Sequence, residues 1–323
     1  VPIALVATSH SPLIGKNDPA PEVRAEVDQV LGAARDFVAD FDPELVVIYA
    51  PDHYNGFLYD MMPPFCVGAA ATAVGDYGLP AGPLDVDRDV AYALARGALE
   101  AGVDLALSEA MQVDHGFVQP LTFLFDSLTS VPVVPIFINC VAEPLGPASR
   151  ARHLGQAIGR TLAGLDRRVL VLGSGGLSHD PPVPRLAEAP PEVAQRLTHG
   201  RNPTAEQRAQ REGRTLAAAV EFAGGATGLR PLNPDWDRLV LRALADGDLG
   251  AVDGQSNDWF VAEGGHSAHE VRTWIAAFAT LGATGPYTVR SSFYRPIPEW
   301  IAGFATVTAV PQPSAASLEQ AAR

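Results

Sequence analysis

The sequence predicts an α/β protein: a layered α/β/α domain with a largely parallel or mixed central sheet and its active site at the C-terminal ends of the strands. Three observations carry this expectation. Short runs rich in Val, Ile and Leu alternate with longer segments of helical periodicity. The runs are apolar throughout, as strands covered on both faces must be. Several of them lead directly into a histidine, at the sheet edge where open α/β folds bind ligands.

The first run, residues 3–7, passes through Thr8 and Ser9 into His10. A helix is expected over 22–41, where Val23, Val27, Val30, Leu31, Ala34, Phe37 and Val38 recur at helical spacing. Pro21 suits its first position. Residues 45–50 (LVVIYA) read as the second strand. Then come a helix over 85–102, a weaker strand over 103–107, a strand over 131–138, a helix over 148–165 and a strand over 168–172. Helices follow over 191–199, 205–224, 235–246 and 269–282, with late strands over 287–292 and 304–309. No long linker and no fixed-period repeat interrupts the pattern, so residues 1–309 are expected to form a single catalytic domain. Residues 310–323 (VPQPSAASLEQAAR) have the composition of a disordered tail.

Composition narrows the function. The net charge is −14 and Lys16 is the only lysine, so no basic stripe is available for nucleic acid. No apolar run approaches the roughly 20 residues of a membrane span, and the N-terminus lacks signal-peptide organisation, so a cytoplasmic location without membrane contact is expected. Cys66 and Cys140 cannot build a disulfide framework, which fits a reducing compartment.

Four of the eight histidines stand at or just beyond strand ends: His10, His53 in APDHYNGF, His115 in QVDHGF and His179 in GLSHDPP. A lone histidine there is ordinarily structural; four on one edge point to a site. Asp52, Asp114 and Asp180 flank three of them and could orient imidazoles, although turn formation is an equally ordinary use. Pro181 stiffens the chain after His179. His153 lies in a basic helical stretch and His199 at a helix end, where neither needs a special role. His266, His269 and Glu270 occupy GGHSAHEVRTW, at a helix start, where Glu270 either complements the dipole or projects into the histidine cluster. Histidines with one carboxylate suggest a metal; zinc or non-haem Fe(II) would both accept the set.

The motifs ATSHSPL, APDHYNGFLYDMMPPFCVG, VDHGFVQPL, GSGGLSHDPPVP, GRNPTAEQRAQREGR and GGHSAHEVRTWIAAFA together resemble the class III extradiol ring-cleavage dioxygenases, and within them the 2,3-dihydroxyphenylpropionate 1,2-dioxygenases. The resemblance runs from residue 3 to about residue 308. It implies Fe(2+) held by His10, His53 and Glu270, with His115 as proton donor and His179 as proton acceptor. It also implies O2 and a catechol-type aromatic acid as co-substrates, a homo-oligomer, and a role in phenylpropanoid catabolism. The implied reaction opens 2,3-dihydroxyphenylpropionate or 2,3-dihydroxycinnamate beside its hydroxyls, both atoms of O2 entering 2-hydroxy-6-oxonona-2,4-diene-1,9-dioate or its triene analogue. His266 and His269 receive no role.

Two alternatives remain open at this point: an extradiol dioxygenase for another catechol, and a zinc-dependent hydrolase using the same histidines. The substrate carboxylate needs a cation or a cluster of N–H donors; Arg201 and Arg295 are candidates by residue type alone, and surface salt bridges are their ordinary use. Tyr54, Phe57, Met61, Met62 and Phe65 follow His53 and either line a ring pocket or pack in the core.

Overall fold

The computed structural model describes residues 2–225 and 228–312. Strand β1 (Ile3–Thr8) leads through helix α1 (Pro21–Phe41) to β2 (Leu45–Ala50). The short strands β3 (Phe65–Gly68), β4 (Ala71–Val74) and β5 (Ala81–Pro83) follow, then helix α2 (Arg88–Glu100). Strands β6 (Ala106–Ser108) and β7 (Met111–Val113) precede helix α3 (His115–Leu124). Strand β8 (Val133–Ile138), helix α4 (Ser149–Leu162) and strand β9 (Val169–Ser174) come next. Helices α5 (Pro191–His199), α6 (Ala205–Ala223), α7 (Pro234–Asp246), α8 (Gly250–Asp253), α9 (Asn257–Gly264) and α10 (Val271–Gly282) lead to the hairpin β10 (Tyr287–Ile297) and β11 (Ala302–Pro311).

The main sheet has the order β10-β11-β1-β9-β2-β8-β3-β6. Its inner strands β1, β9, β2 and β8 are parallel, while β11 and β3 run antiparallel to their inner neighbours. β9 inserts between β1 and β2, so three parallel strands end side by side. Strands β5, β4 and β7 make a separate small sheet.

Each inner strand is buried along its whole length, and its alternating side chains feed two cores. Ile3, Leu5, Val47 and Tyr49 pack under α2, α4 and α10. Ala4, Val6, Val46 and Ile48 pack against α1 and α3. This is the three-layer α/β/α arrangement that the uninterrupted apolar runs predict. Among the described residues no helix is long and apolar enough to cross a membrane.

Some elements differ from the expectation. The weak strand at 103–107 is the short edge strand Ala106–Ser108. Helix α3 has no polar face: eight of its ten residues are buried, and Pro120 lies inside it, so it shows no amphipathic period. The last strand takes in Val310 and Pro311; residues 313–323 of the expected tail lie outside the described residues.

Helices α4 and α10 meet through glycine. A Cβ at Gly155 would sit 2.1 Å from the Ala276 carbonyl oxygen, and one at Gly159 2.4 Å from that of Thr280. The Thr280 hydroxyl is also within 2.6 Å of the Tyr49 hydroxyl beneath it. In an open helix Gly→Ala stabilises by about 1 kcal/mol. Here the sign should reverse: Gly155→Ala is expected to lose roughly 1–3 kcal/mol, read as a lower urea midpoint at unchanged slope.

Candidate active site

His10, His53 and His179 follow β1, β2 and β9, the three adjacent parallel strands, so the sheet delivers them to one edge. His115 arrives by another route. It follows β7 of the small sheet, not the strand expected at 103–107, and opens helix α3. The Asp114 side chain caps that helix by accepting the Gly116 N–H. Glu270 closes a 3₁₀ turn, His266–Glu270, and stands at the N-cap of α10, 1% exposed. The helix dipole there favours its negative charge.

Each imidazole is fixed through Nδ1. The Ser174 hydroxyl donates to the Gly116 carbonyl at 2.5 Å and therefore accepts from His10 Nδ1–H at 2.9 Å. That leaves His10 Nε2 with its lone pair. Asp114 Oδ2 lies 3.1 Å from His53 Nδ1 and also accepts the His53 backbone N–H at 2.8 Å. His179 Nδ1–H donates to the Leu177 carbonyl at 2.9 Å. His115 Nδ1 lies 2.5 Å from Asp76 Oδ2.

The Nε2 atoms of three rings converge on Glu270. Oε1 is 3.2 Å from His53 Nε2 and 3.1 Å from His179 Nε2; Oε2 is 3.6 Å from His10 Nε2 and accepts the Gly176 N–H at 2.9 Å. His115 stacks on His53, ring centroids 4.2 Å apart. A side chain at Gly176 could not coexist with this packing, because its Cβ would sit 2.5 Å from the His179 ring.

Burial works against every charge here, and the partners decide which survive. Burial pushes His10 down to about 3, against the opposing pull of Glu270, so this ring is neutral. Burial also opposes a charged His53, but Asp114 and Glu270 outweigh it and raise its pKa. Glu270 likewise outweighs burial at His179 and raises that ring. Burial would raise Glu270, yet His179, His10 and His53 hold it well below the usual carboxylate range. Asp114 is depressed the same way, by His115 and His53 against its burial.

The remaining candidates separate by contact. Asp114 orients an imidazole. Asp52 makes a turn: its carboxylate accepts the N–H groups of Asn55, Gly56 and Phe57. Burial and Asp114 push Asp52 up to about 7. Asp180 holds His266, accepting its backbone N–H at 2.9 Å with its ring Nδ1 also 2.9 Å away, and leaves His179 to the Leu177 carbonyl. His269 turns away from the cluster into the core, against Phe260 and Arg272. Ser174 and Asp76, the Nδ1 partners of His10 and His115, went unread in the sequence. Ser174 sits in the GSGG stretch at the end of β9, where its position alone could have flagged it.

A cavity of about 550 Å³ opens onto the cluster. Its walls include His10, His53, His115, His179, Glu270 and His266, together with Tyr54, Pro181, Val193 and Leu197. Of the five residues after His53 considered for a ring pocket, Tyr54 alone lines it. Its φ is +58°, and its hydroxyl is buried with no hydrogen-bond partner among the described residues. Phe57 instead stacks on Phe137 at 3.8 Å, Met62 and Phe65 pack in the core, and Met61 is exposed. Arg201 pairs with Asp60 and Arg295 with Glu26, both off the cavity wall.

The residues fit a divalent metal. His10, His53 and His115 offer ring nitrogens within 4.8 Å of one another. Glu270 brings a buried, ionised carboxylate to the Nε2 atoms of His10 and His53. His115 already has its Nδ1 on Asp76, and its ring lies flat against His53.

The chain matches the family described as the catalytic LigB subunit of aromatic ring-opening dioxygenase over residues 4–305. It is similar to the 2,3-dihydroxyphenylpropionate/2,3-dihydroxicinnamic acid 1,2-dioxygenase of Rhodococcus sp, 62% identical over 310 residues, which are 96% of this chain and 99% of the relative. Proteins of the same name in Cupriavidus pinatubonensis and Mycolicibacterium smegmatis are 58% and 56% identical over 311 residues, again 96% of this chain and 99% of each relative.

The Ser174 contact gives a direct test of the site. Ser174→Ala removes the acceptor that fixes the His10 tautomer. It is expected to weaken divalent-metal binding about 10–100-fold, measured by equilibrium dialysis, while the circular dichroism spectrum stays native.

Proposed function

We infer the reaction from one premise: the chain belongs to the LigB family of aromatic ring-opening dioxygenases and is an oxidoreductase that acts on a catechol with O2. That membership replaces the hydrolase alternative. The function proposed is Fe(II)-dependent extradiol cleavage of 2,3-dihydroxyphenylpropionate, and of 2,3-dihydroxycinnamate, to 2-hydroxy-6-oxonona-2,4-diene-1,9-dioate or its triene analogue. Similarity to relatives carrying that substrate in their names, over nearly their whole length, supports the choice of catechol.

One observation carries the site assignment: the Glu270 carboxylate lies against His10 Nε2 and His53 Nε2 in a cavity that also holds His115, His179 and His266. His10, His53 and Glu270 would hold the metal, a set of two histidines and one carboxylate that suits non-haem Fe(II). When bound, Fe(II) supplies a common centre for catechol and O2 through which electron density can pass from one to the other.

The chain's own groups divide the proton work. His179, its Nδ1–H spent on a carbonyl, presents Nε2 to the cavity and takes the proton of a catechol hydroxyl. His115 has a carboxylate behind it, Asp76, which holds Nδ1 and leaves Nε2 to the cavity. It is the group assigned to return a proton, from Nε2, as the ring opens. The apolar side of the cavity, with Pro181, Val193 and Leu197, keeps bulk water from the reacting ring.

The test is anaerobic reconstitution with Fe(II), followed by O2 uptake and product absorbance with 2,3-dihydroxyphenylpropionate. One O2 per catechol and a yellow ring-opened product are expected, with none from zinc-loaded protein. His115→Gln should retain iron and lose about 10²–10⁴ in rate; Glu270→Ala should lose the iron itself. An iron-loaded protein that consumes no O2 with this or any other catechol would end the proposal.

A further inference from the structure

The cavity has a cationic wall that the fold does not need. Arg196 on α5 and Arg208, Arg211 and Arg214 on α6 all line it. Among the described residues none of these four makes a salt bridge, whereas Arg185 on the same rim is paired with Glu188. Arg208 Nη1 is buried with no hydrogen-bond partner. Arg211 Nη2 donates to the His53 carbonyl at 3.2 Å and to Asn55 Oδ1 at 3.3 Å, acceptors that carry no charge.

Two acidic groups of the cavity wall are engaged elsewhere. Glu212 accepts the Tyr77 N–H at 2.7 Å, and Asp180 holds His266. Burial, then Arg211 and Arg214, lower the pKa of Arg196, so these cations repel one another. Like charges three residues apart on a helix destabilise it. Glu192 offsets part of the repulsion at Arg196, but among the described residues no carboxylate forms a salt bridge with any of the four. An anion brought by a ligand would relieve the repulsion.

We propose that Arg208 and Arg211, with Arg196 and Arg214 beside them, bind the side-chain carboxylate of the catechol acid and make the enzyme select carboxylated over neutral catechols. This rests on the reading above that the catechol ring sits at His10, His53 and Glu270. The wall adjoins that position: Arg211 is bonded to the backbone of His53, and Tyr77, tied to Glu212, packs edge-on against His115 with ring centroids 5.2 Å apart. A guanidinium offers a planar fork that matches a carboxylate, and the apolar surroundings of Pro181, Val193 and Leu197 reduce screening of the pair.

The test uses full-length, metal-loaded enzyme. Calorimetric titration compares unreactive 3-phenylpropionate with its neutral amide, and kcat/KM compares 2,3-dihydroxyphenylpropionate with 3-methylcatechol. Arg208→Met is expected to weaken 3-phenylpropionate about 10-fold or more, and to lower the acid-to-neutral ratio of kcat/KM by a similar factor. Arg208→Lys should restore part of both. Arg295→Met, outside the cavity, should keep both preferences. Arg211→Met takes the place of Arg208→Met if that variant does not fold. Equal weakening of acid and amide, or no change in either, overturns the proposal. A wild-type enzyme that binds the acid selectively but opens no catechol would sink the reaction assignment and leave the carboxylate site standing.

Discussion

The structure turns on a buried carboxylate. Glu270 is nearly inaccessible, ionised, and surrounded by the Nε2 atoms of three histidines from three parallel strands. An anion in that position needs compensation from the start of α10, from the Gly176 N–H and from cationic character in front of it. The strand order meets the geometric demand: placing β9 between β1 and β2 brings their three loops to one point. The glycines after β9 meet the steric one, since side chains there would strike His179 and the backbone of Glu270.

Four chemically identical side chains acquire different properties through what stands behind Nδ1. A hydroxyl locked onto a carbonyl takes the Nδ1–H of His10 and leaves its Nε2 with a lone pair. A backbone carbonyl accepts the Nδ1–H of His179, and carboxylates stand behind His53 and His115. This division needs Ser174, Leu177, Asp114 and Asp76 as much as the rings. It explains how one edge of a sheet can hold histidines of differing chemistry within a few ångströms of each other.

Much of this was legible in the sequence because it follows from local rules. Continuous apolar runs gave the buried strands, helical spacing gave α1 and α10, and strand-end position drew attention to His10, His53 and His179. What was illegible depends on long-range contact. Asp76 meets His115 across 39 positions, from a turn that reads only as a turn. Helix α3 hid because burial on all sides erases the amphipathic period. The arginine wall was missed for a related reason. GRNPTAEQRAQREGR reads as a family-like motif running into the helix expected over 205–224, and only the packing of α5 and α6 over the cavity turns Arg208 and Arg211 inward. Arg201, a neighbour in the same stretch, faces Asp60 instead.

In the proposed metal site Glu270, and not His115, is the third ligand. The geometry admits a rival, since His10, His53 and His115 also bring three nitrogens together. A crystal structure of the protein loaded anaerobically with Fe(II), with the metal located by anomalous scattering at the iron edge, separates the two. Iron is expected on His10 Nε2, His53 Nε2 and the Glu270 carboxylate, with His115 still bonded to Asp76. Iron bound to all of His10, His53 and His115, with Glu270 left to its hydrogen bonds, would contradict it.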